Sequence, residues 1–249
     1  MVVRQDAVRD DGRMLRVARA VGMPRATLWA IRTELEAAWV SLRNHFHPSA
    51  RLALRRVRGR NELLLNVASG PFVLDGFVNL ELRAYHADVV RWDCRTSVPV
   101  ADGACRGIRI EHFLEHLDPR DEVPFLLRDC HRALAPGGVL RIVVPDVARF
   151  MAAYLARDKS GFDALAVADP FPDDLPTALD IVNHAFHQWH EHRWGYDVEN
   201  LTWLLERAGF SEIVRSAYGA SRLPALGRDR DEHAAYSLYV ECVKPASTV

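Results

Sequence analysis

The feature that most restricts the fold is the switch, near residue 62, to short apolar runs alternating with stretches of helical periodicity. Leu63-Leu-Leu-Asn-Val67, Phe77-Val-Asn-Leu80, Ala87-Asp-Val-Val90, Gly107-Ile-Arg-Ile110 and Val139-Leu-Arg-Ile-Val-Val144 read as five successive strands. Pro124 to Leu134 reads as an amphipathic helix ended by Pro136-Gly137-Gly138. Asp146 stands where it can cap a helix from Val147 to Arg157, and Asp197 caps another through Ala208, closed by Gly209. Tyr236 to Val243 alternates with period two, as a late strand does. Strands alternating with helices in this way build a mostly parallel sheet, so the fold class is α/β.

The chain before residue 62 is different in kind. Leu15, Val17, Ala18, Val21, Leu28, Ile31, Leu35, Ala38, Trp39 and Leu42 recur at helical spacing, with breaks at Gly22-Met-Pro24 and at His47-Pro48-Ser49, then a short arginine-rich helix from Ala50 to Val57. Residues 1–60 hold 13 arginines against 5 acidic residues, whereas the remainder holds 19 basic against 28 acidic. The division expected is a basic helical extension over 1–60 and a catalytic or binding domain over 61–249. Within that domain 158–196 forms an acidic, loop-rich lid, since Pro170, Pro172 and Pro176 fall among aspartates. A basic arm suits a solvated helix docked on an acidic body, or an anionic partner such as a membrane surface through its arginines. Residues 17–29 also resemble a helix-turn-helix, with Gly22 at the turn and Arg25 and Thr27 opening the second helix. A DNA-binding regulator using residues 14–45 is the lesser alternative, and nucleic acid is not the expected partner.

With 49% hydrophobic and 26% charged residues, the chain can bury a sizeable core without disulfides. Its four cysteines are scattered with no C-x-x-C pair, which excludes a zinc knuckle or a thioredoxin-like motif. No run approaches a membrane span, and the opening residues lack the apolar stretch of a secretory signal, so a cytoplasmic address, peripheral to the membrane if the arm binds there, is expected.

In an open parallel sheet, ligands bind beyond the carboxyl ends of the strands. The residues there are Ala68-Ser69-Gly70-Pro71 after the first strand, Glu81 after the second, Asp93 after the third and Glu111-His112 after the fourth. A carboxylate at the position of Glu81 can accept hydrogen bonds from a ribose diol, and Asp93 can accept from an adenine amino group. No G-x-G-x-x-G follows the first strand, which disfavours a dinucleotide pyrophosphate and leaves a nucleoside-type ligand.

Four segments, Leu64-Leu-Asn-Val-Ala-Ser-Gly70, Gly76-Phe-Val-Asn-Leu-Glu81, Ile110-Glu-His-Phe-Leu-Glu-His-Leu117 and Leu134-Ala-Pro-Gly-Gly-Val-Leu-Arg-Ile-Val-Val-Pro-Asp146, resemble class I S-adenosylmethionine (SAM) dependent methyltransferases. More narrowly they look like the type-11-like group often linked to cell-surface polysaccharide synthesis. The likeness covers roughly residues 61–244. It implies a Rossmann-like, mostly parallel seven-stranded sheet with helices on both faces, and SAM as cofactor. It implies that Asn66, Ala68, Ser69, Gly70, Glu81, Asp93, Cys94, Glu111 and His112 form the cofactor site. Two departures stand out. Ala68 occupies a position where the group usually has glycine, and Arg106 one where it commonly has aspartate; both open the alternative of a Rossmann-like protein that has lost SAM.

Methyl transfer needs mainly an aligned acceptor, which positioning can favour by effective molarities of about 10⁵–10⁸ M, while a general base adds only ~10²–10⁴. His112, His116 and His192 are the candidate bases. Glu115 is expected to cap or pair locally. Arg193, Trp194 and Tyr196 are candidates for contact with the acceptor, expected to be a hydroxyl of a sugar, a glycan or another small molecule. The spacing of His184, His187, His190 and His192 does not put four imidazoles on one helix face, so no metal site is expected. Self-association is left open.

Overall fold

The computed structural model describes residues 20, 22–95, 97–157, 159–166, 171–172, 174–188 and 191–246. Seven strands, β1 (Leu63–Val67), β2 (Val78–Glu81), β3 (Val89–Arg91), β4 (Cys105–Glu111), β5 (Leu134–Pro145), β6 (Ser211–Arg215) and β7 (Ser237–Val243), form one sheet in the order β3-β2-β1-β4-β5-β7-β6. The first five are mutually parallel, and β7 runs antiparallel to both β5 and β6. Strand order reverses between β1 and β4, so the ligand crevice opens above their carboxyl ends. The fold class expected from the sequence is the one observed.

Among the described residues seven α-helices accompany the sheet: α1 (Arg25–Phe46), α2 (Pro48–Arg58), α3 (Glu122–Ala133), α4 (Val147–Ala156), α5 (Lys159–Leu165), α6 (Ala178–His187) and α7 (Val198–Arg207). One sheet face is apolar throughout. Leu63, Leu65 and Val67 stand in register with Val78 and Leu80 on one side and with Ile108, Ile110, Leu140 and Ile142 on the other. All are buried with Leu126 and Leu127 of α3, Leu201 and Leu205 of α7 and Val57 of α2.

The opposite face carries a row of polar side chains. Asn79, Asn66, Arg109, Arg141 and Glu241 occupy facing register positions on β2, β1, β4, β5 and β7, and every one is buried. The crossovers 68–77, 82–88 and 92–104 contain no helix among the described residues, so they leave this face to another cover. That cover includes the segment between β6 and β7. Arg141 donates through Nε and Nη2 to Asp229 at 3.0 and 2.5 Å, through Nη1 to Glu241 at 3.1 Å, and to the carbonyls of Ala217 and Ala220. Arg109 donates to Asn66 Oδ1 at 3.2 Å and pairs with Glu111. Asn66 in turn donates to Asn79 and to the carbonyl of Phe72.

Several sequence expectations change. Helix α3 ends at Ala133, before Pro136, and β5 starts at once because Leu134 pairs with Cys105; Gly137, at φ +77°, takes the bend inside the strand. Asp146 does not cap α4. Its carboxylate is drawn to Arg215 at 2.7 Å, while its backbone N–H donates to Tyr236. The described residues of the 158–196 insertion are more helical than its prolines suggest. Thr177 and Asp180 form a reciprocal capping box that starts α6, and Phe150, Ala153, Phe162, Leu165, Val182 and Ala185 make a second small core from α4, α5 and α6. Strand β6 was not read from the sequence, since its exposed edge position permits glutamate and arginine among few apolar residues.

Helix α1 begins at Arg25, where the second helix of the helix-turn-helix was expected, and runs to Phe46. Residues 17–19 and 21, where the first helix of that motif was expected, lie outside the described residues. Helix α1 is fastened to the β2–β3 edge: Arg83 donates to Glu36 at 2.8 Å, Arg95 to Glu34 at 2.6 Å, and Asn44 to the carbonyl of Arg91 at 2.8 Å. Leu35, Trp39, Leu42 and Phe46 remain exposed. No helix among the described residues is long and apolar enough to cross a membrane.

Candidate active site

The turn after β1 is held in an unusual backbone conformation. Ala68 has φ +51° and Gly70 φ +54°. The left-handed region costs alanine about 1–2 kcal/mol, so the departure at Ala68 stores strain. Ala68→Gly is therefore expected to raise stability by about 1 kcal/mol, read as a higher urea midpoint at unchanged slope. A Cβ built on Gly70 would meet nothing within 4 Å, so this backbone borders open space. Ser69 and Cys94 are buried beneath it, and burial pushes the Cys94 thiol well above its ordinary range.

Glu81, at the end of β2, is bound to the same turn. Its Oε2 accepts from Gly70 N and its Oε1 from Arg83 N, both at 3.0 Å. Burial raises its carboxyl against these backbone donors, to which Leu82 adds a third. Asp93 sits at the end of β3 and accepts from Arg95 Nε and Nη2 at 3.1 and 2.9 Å; the same guanidinium reaches Glu34 of α1. Helix α1 is thereby tied to the loops that carry both carboxylates.

At the end of β4, Glu111 accepts from Arg230 N at 3.2 Å and lies 3.1 Å from His233 Nδ1. Burial works against its charge, but the His233 hydrogen bond and the Arg109 guanidinium outweigh that and hold its carboxyl at about 2. His233 is itself pushed down to about 4, by burial first and then by His112, whose ring centroid is 3.7 Å away. Below its unfolded value near 6.5 the unfolded chain takes up a proton that native His233 refuses. The stability it contributes is full above pH 6.5 and is lost as pH falls through 4. Urea midpoints measured at pH 7, 6 and 5 should fall in that order, and His233→Gln should flatten the trend.

His112 has φ +50° and a half-buried ring between two partners, Ser237 Oγ at 2.8 Å from Nε2 and Glu115 Oε1 at 3.2 Å from Nδ1. Burial opposes the charge on Glu115, yet His112, His116 and His192 around it hold its carboxyl at about 2. His116 lies on the 3₁₀ turn Leu114–His116, and His192 follows α6; their ring centroids are 4.9 Å apart. Burial pushes His192 down to about 4. Arg193 and Trp194 donate their backbone N–H groups to the carbonyl of Glu115, and the Trp194 side chain is half exposed. Tyr196 is fully buried and donates its hydroxyl to the carbonyl of Leu114.

The structure thus gathers Ala68, Ser69, Gly70, Glu81 and Cys94 at one part of the crest, and Glu111, His112, His116 and His192 at another. Asn66 is turned to the polar face, where it serves Phe72, Asn79 and Arg109. His233 and Ser237, both in contact with His112, were missed by the sequence reading; neither has a spacing signal, because they reach the site only through the pairing of β7 with β5.

The sequence profile of the methyltransferase domain family matches residues 11–215. The chain belongs to this family. SAM is its cofactor, as the resemblance implied. Solved structures similar to it include a SAM-dependent methyltransferase from Archaeoglobus fulgidus (15% identity, 83% of this chain and 99% of that one, TM-score 0.46). Others are a SAM-dependent methyltransferase from Thermotoga maritima (15%, 86% and 97%, 0.44) and a Haloferax volcanii methyltransferase in complex with its Trm112 activator (13%, 87% and 97%, 0.45). A comparison with curated proteins gives no match. The methyltransferase match takes in α1 and α2 and stops at the end of β6, so the segment that closes the arginine row lies beyond it. The crest suits the cofactor: a carboxylate offers about four acceptor positions, and the three backbone donors at Glu81 leave room for a ribose hydroxyl beside the open space at Gly70.

Proposed function

We propose that the chain transfers the methyl group of SAM to a hydroxyl of a sugar, a glycan or another small molecule. The observation that carries this reading is Glu81, a carboxylate anchored by the Gly70 and Arg83 N–H groups at the edge where the β1 turn opens. In it Glu81 holds the ribose, Asp93 the adenine edge, and the Ala68–Gly70 turn the amino-acid part, with Cys94 as the buried floor. Asn66 supports the turn from below through Phe72, and Glu111 and His112 border the reacting end.

The bound cofactor supplies an electrophilic methyl carbon. Methyl transfer to an acceptor oxygen would release the proton of its hydroxyl, and His112 would receive it through Ser237 Oγ at its Nε2. Glu115 and Ser237 on either side of the ring fix its plane. His116 and His192 stand on the acceptor side of Glu115. Arg193 and Trp194 are tethered to the same carbonyl and can meet the acceptor, whereas Tyr196 holds the loop in place from inside. Most of the rate comes from this positioning, the larger of the two effects. The basic arm would serve as a peripheral contact with an anionic membrane surface from the cytoplasm. Flotation with phosphatidylserine vesicles, lost at high salt, is the expected behaviour.

Isothermal titration of the full chain with SAM and S-adenosylhomocysteine tests the reading. Saturable binding of both is expected. No heat at high micromolar ligand would favour a chain whose strained Ala68 turn no longer accepts the cofactor.

A further inference from the structure

Three side chains that can ligate a metal come together at the end of the 3₁₀ turn. One ligand atom each from Glu115, His116 and His192 lie within 4.8 Å of one another. His116 Nδ1 is 3.0 Å from the carbonyl of Glu191, and His192 Nδ1 is 2.9 Å from the carbonyl of Ala185. A carbonyl only accepts, so each Nδ1 carries the proton and each Nε2 offers a lone pair. The Glu115 side chain is 1% exposed, and its one partner among the described residues is the ion-pair contact of Oε1 with His112 Nδ1 at 3.2 Å, which leaves Oε2 without a hydrogen bond. A buried carboxylate beside two imidazoles that each keep a lone pair on Nε2 lacks a cation rather than another acceptor.

We propose that Glu115, His116 and His192 bind one divalent first-row transition-metal ion, through both Nε2 atoms and one carboxylate oxygen. Two histidines and one carboxylate leave coordination positions open. The two backbone carbonyls behind the imidazoles are the outer partners that fix a metal-binding tautomer. Resting on the methyltransferase reading, this site would take an acceptor oxygen, hydroxyl or carboxylate, beside His112, where a metal favours the deprotonated form of a bound hydroxyl. It combines the β4 turn with one member of the histidine run, rather than the run itself.

The test is calorimetric titration of Zn²⁺ into chelator-treated, full-length protein. One ion per chain is expected, and His116→Gln, at a half-exposed position, should weaken binding by ~10-fold or more, as should His192→Gln. His187→Gln, an exposed histidine of α6, should leave it unchanged. Circular dichroism checks that each variant is folded, and the half-exposed His116 position keeps the test open if His192→Gln unfolds. Stoichiometry well below one, or equal binding by wild type and His116→Gln, overturns the site and points to protons shared among the three groups or to a metal held elsewhere. SAM titration of the same metal-free protein separates the two ideas: a chain that binds SAM but takes up no Zn²⁺ defeats the metal site alone. Binding of Zn²⁺ without SAM keeps the site and defeats its link to methyl transfer.

Discussion

Replacing Asp229 by alanine is expected to cost about 3–5 kcal/mol of stability, the range for removing one partner of a buried ion pair. Asp229 receives two of the Arg141 N–H groups, and both side chains are fully buried. With Asp229 gone, Arg141 keeps Glu241 at 3.1 Å and the carbonyls of Ala217 and Ala220, but Nε and one Nη2 direction lose their acceptor in a place water does not reach. The Gly219 N–H, which also donates to Asp229, loses its partner too. For a chain of this size a loss of that order lowers Tm by roughly 6–20 °C. Asp229→Asn, which keeps one acceptor oxygen, should fall between. Replacing Arg141, Asp229 and Glu241 together by leucine, alanine and leucine should recover part of the loss, because an apolar exchange removes the unpaired charge along with both of its acidic partners. Urea unfolding of the four proteins measures this order, and a single-mutant cost below about 1 kcal/mol would mean that Arg141 is hydrated or held well enough by Glu241 alone.

The same arginine shows where the sequence was legible and where it was not. The strands were readable because one of their faces is continuously apolar: Leu63, Leu65, Val67, Ile108, Ile110, Leu140 and Ile142 would announce a buried sheet in any register. Arg109 and Arg141 stand inside those same runs and pass for tolerated interruptions. Their meaning comes only from register, which sets them side by side, and from Asp229, 88 residues from Arg141. The missing crossover helices were a further sign: ten-residue or shorter links after β1 and β2 cannot cover a sheet face, so something else must. Within the site, Glu81 and Asp93 were legible because strand ends fix where they lie. Glu115 paired locally with His112, as expected, yet its closeness to His192 depends on α6, whose capping box at Thr177 lay hidden among prolines.

Glu81→Ala is expected to weaken SAM affinity by ~1.5–3 kcal/mol, the range for a hydrogen bond to a charged group, which is roughly 10- to 150-fold in Kd. Two effects add. The ribose loses its acceptor, and the N–H groups of Gly70 and Arg83 lose theirs, so the turn that borders the cofactor loosens. Glu81→Gln is not a mild substitute, because one of the two inward positions would then hold an NH₂ group against a backbone N–H. Most of the alanine effect should therefore persist in the amide variant. Because burial raises the Glu81 carboxyl, its anionic form is lost at a higher pH than that of an exposed glutamate. Wild-type SAM affinity should weaken as pH falls through that raised value, a dependence both variants would lack. Calorimetric Kd values across pH 5 to 8 for the three proteins make the comparison; affinity unchanged in Glu81→Ala would move the ribose contact to Asp93 after β3 or Glu111 at the end of β4.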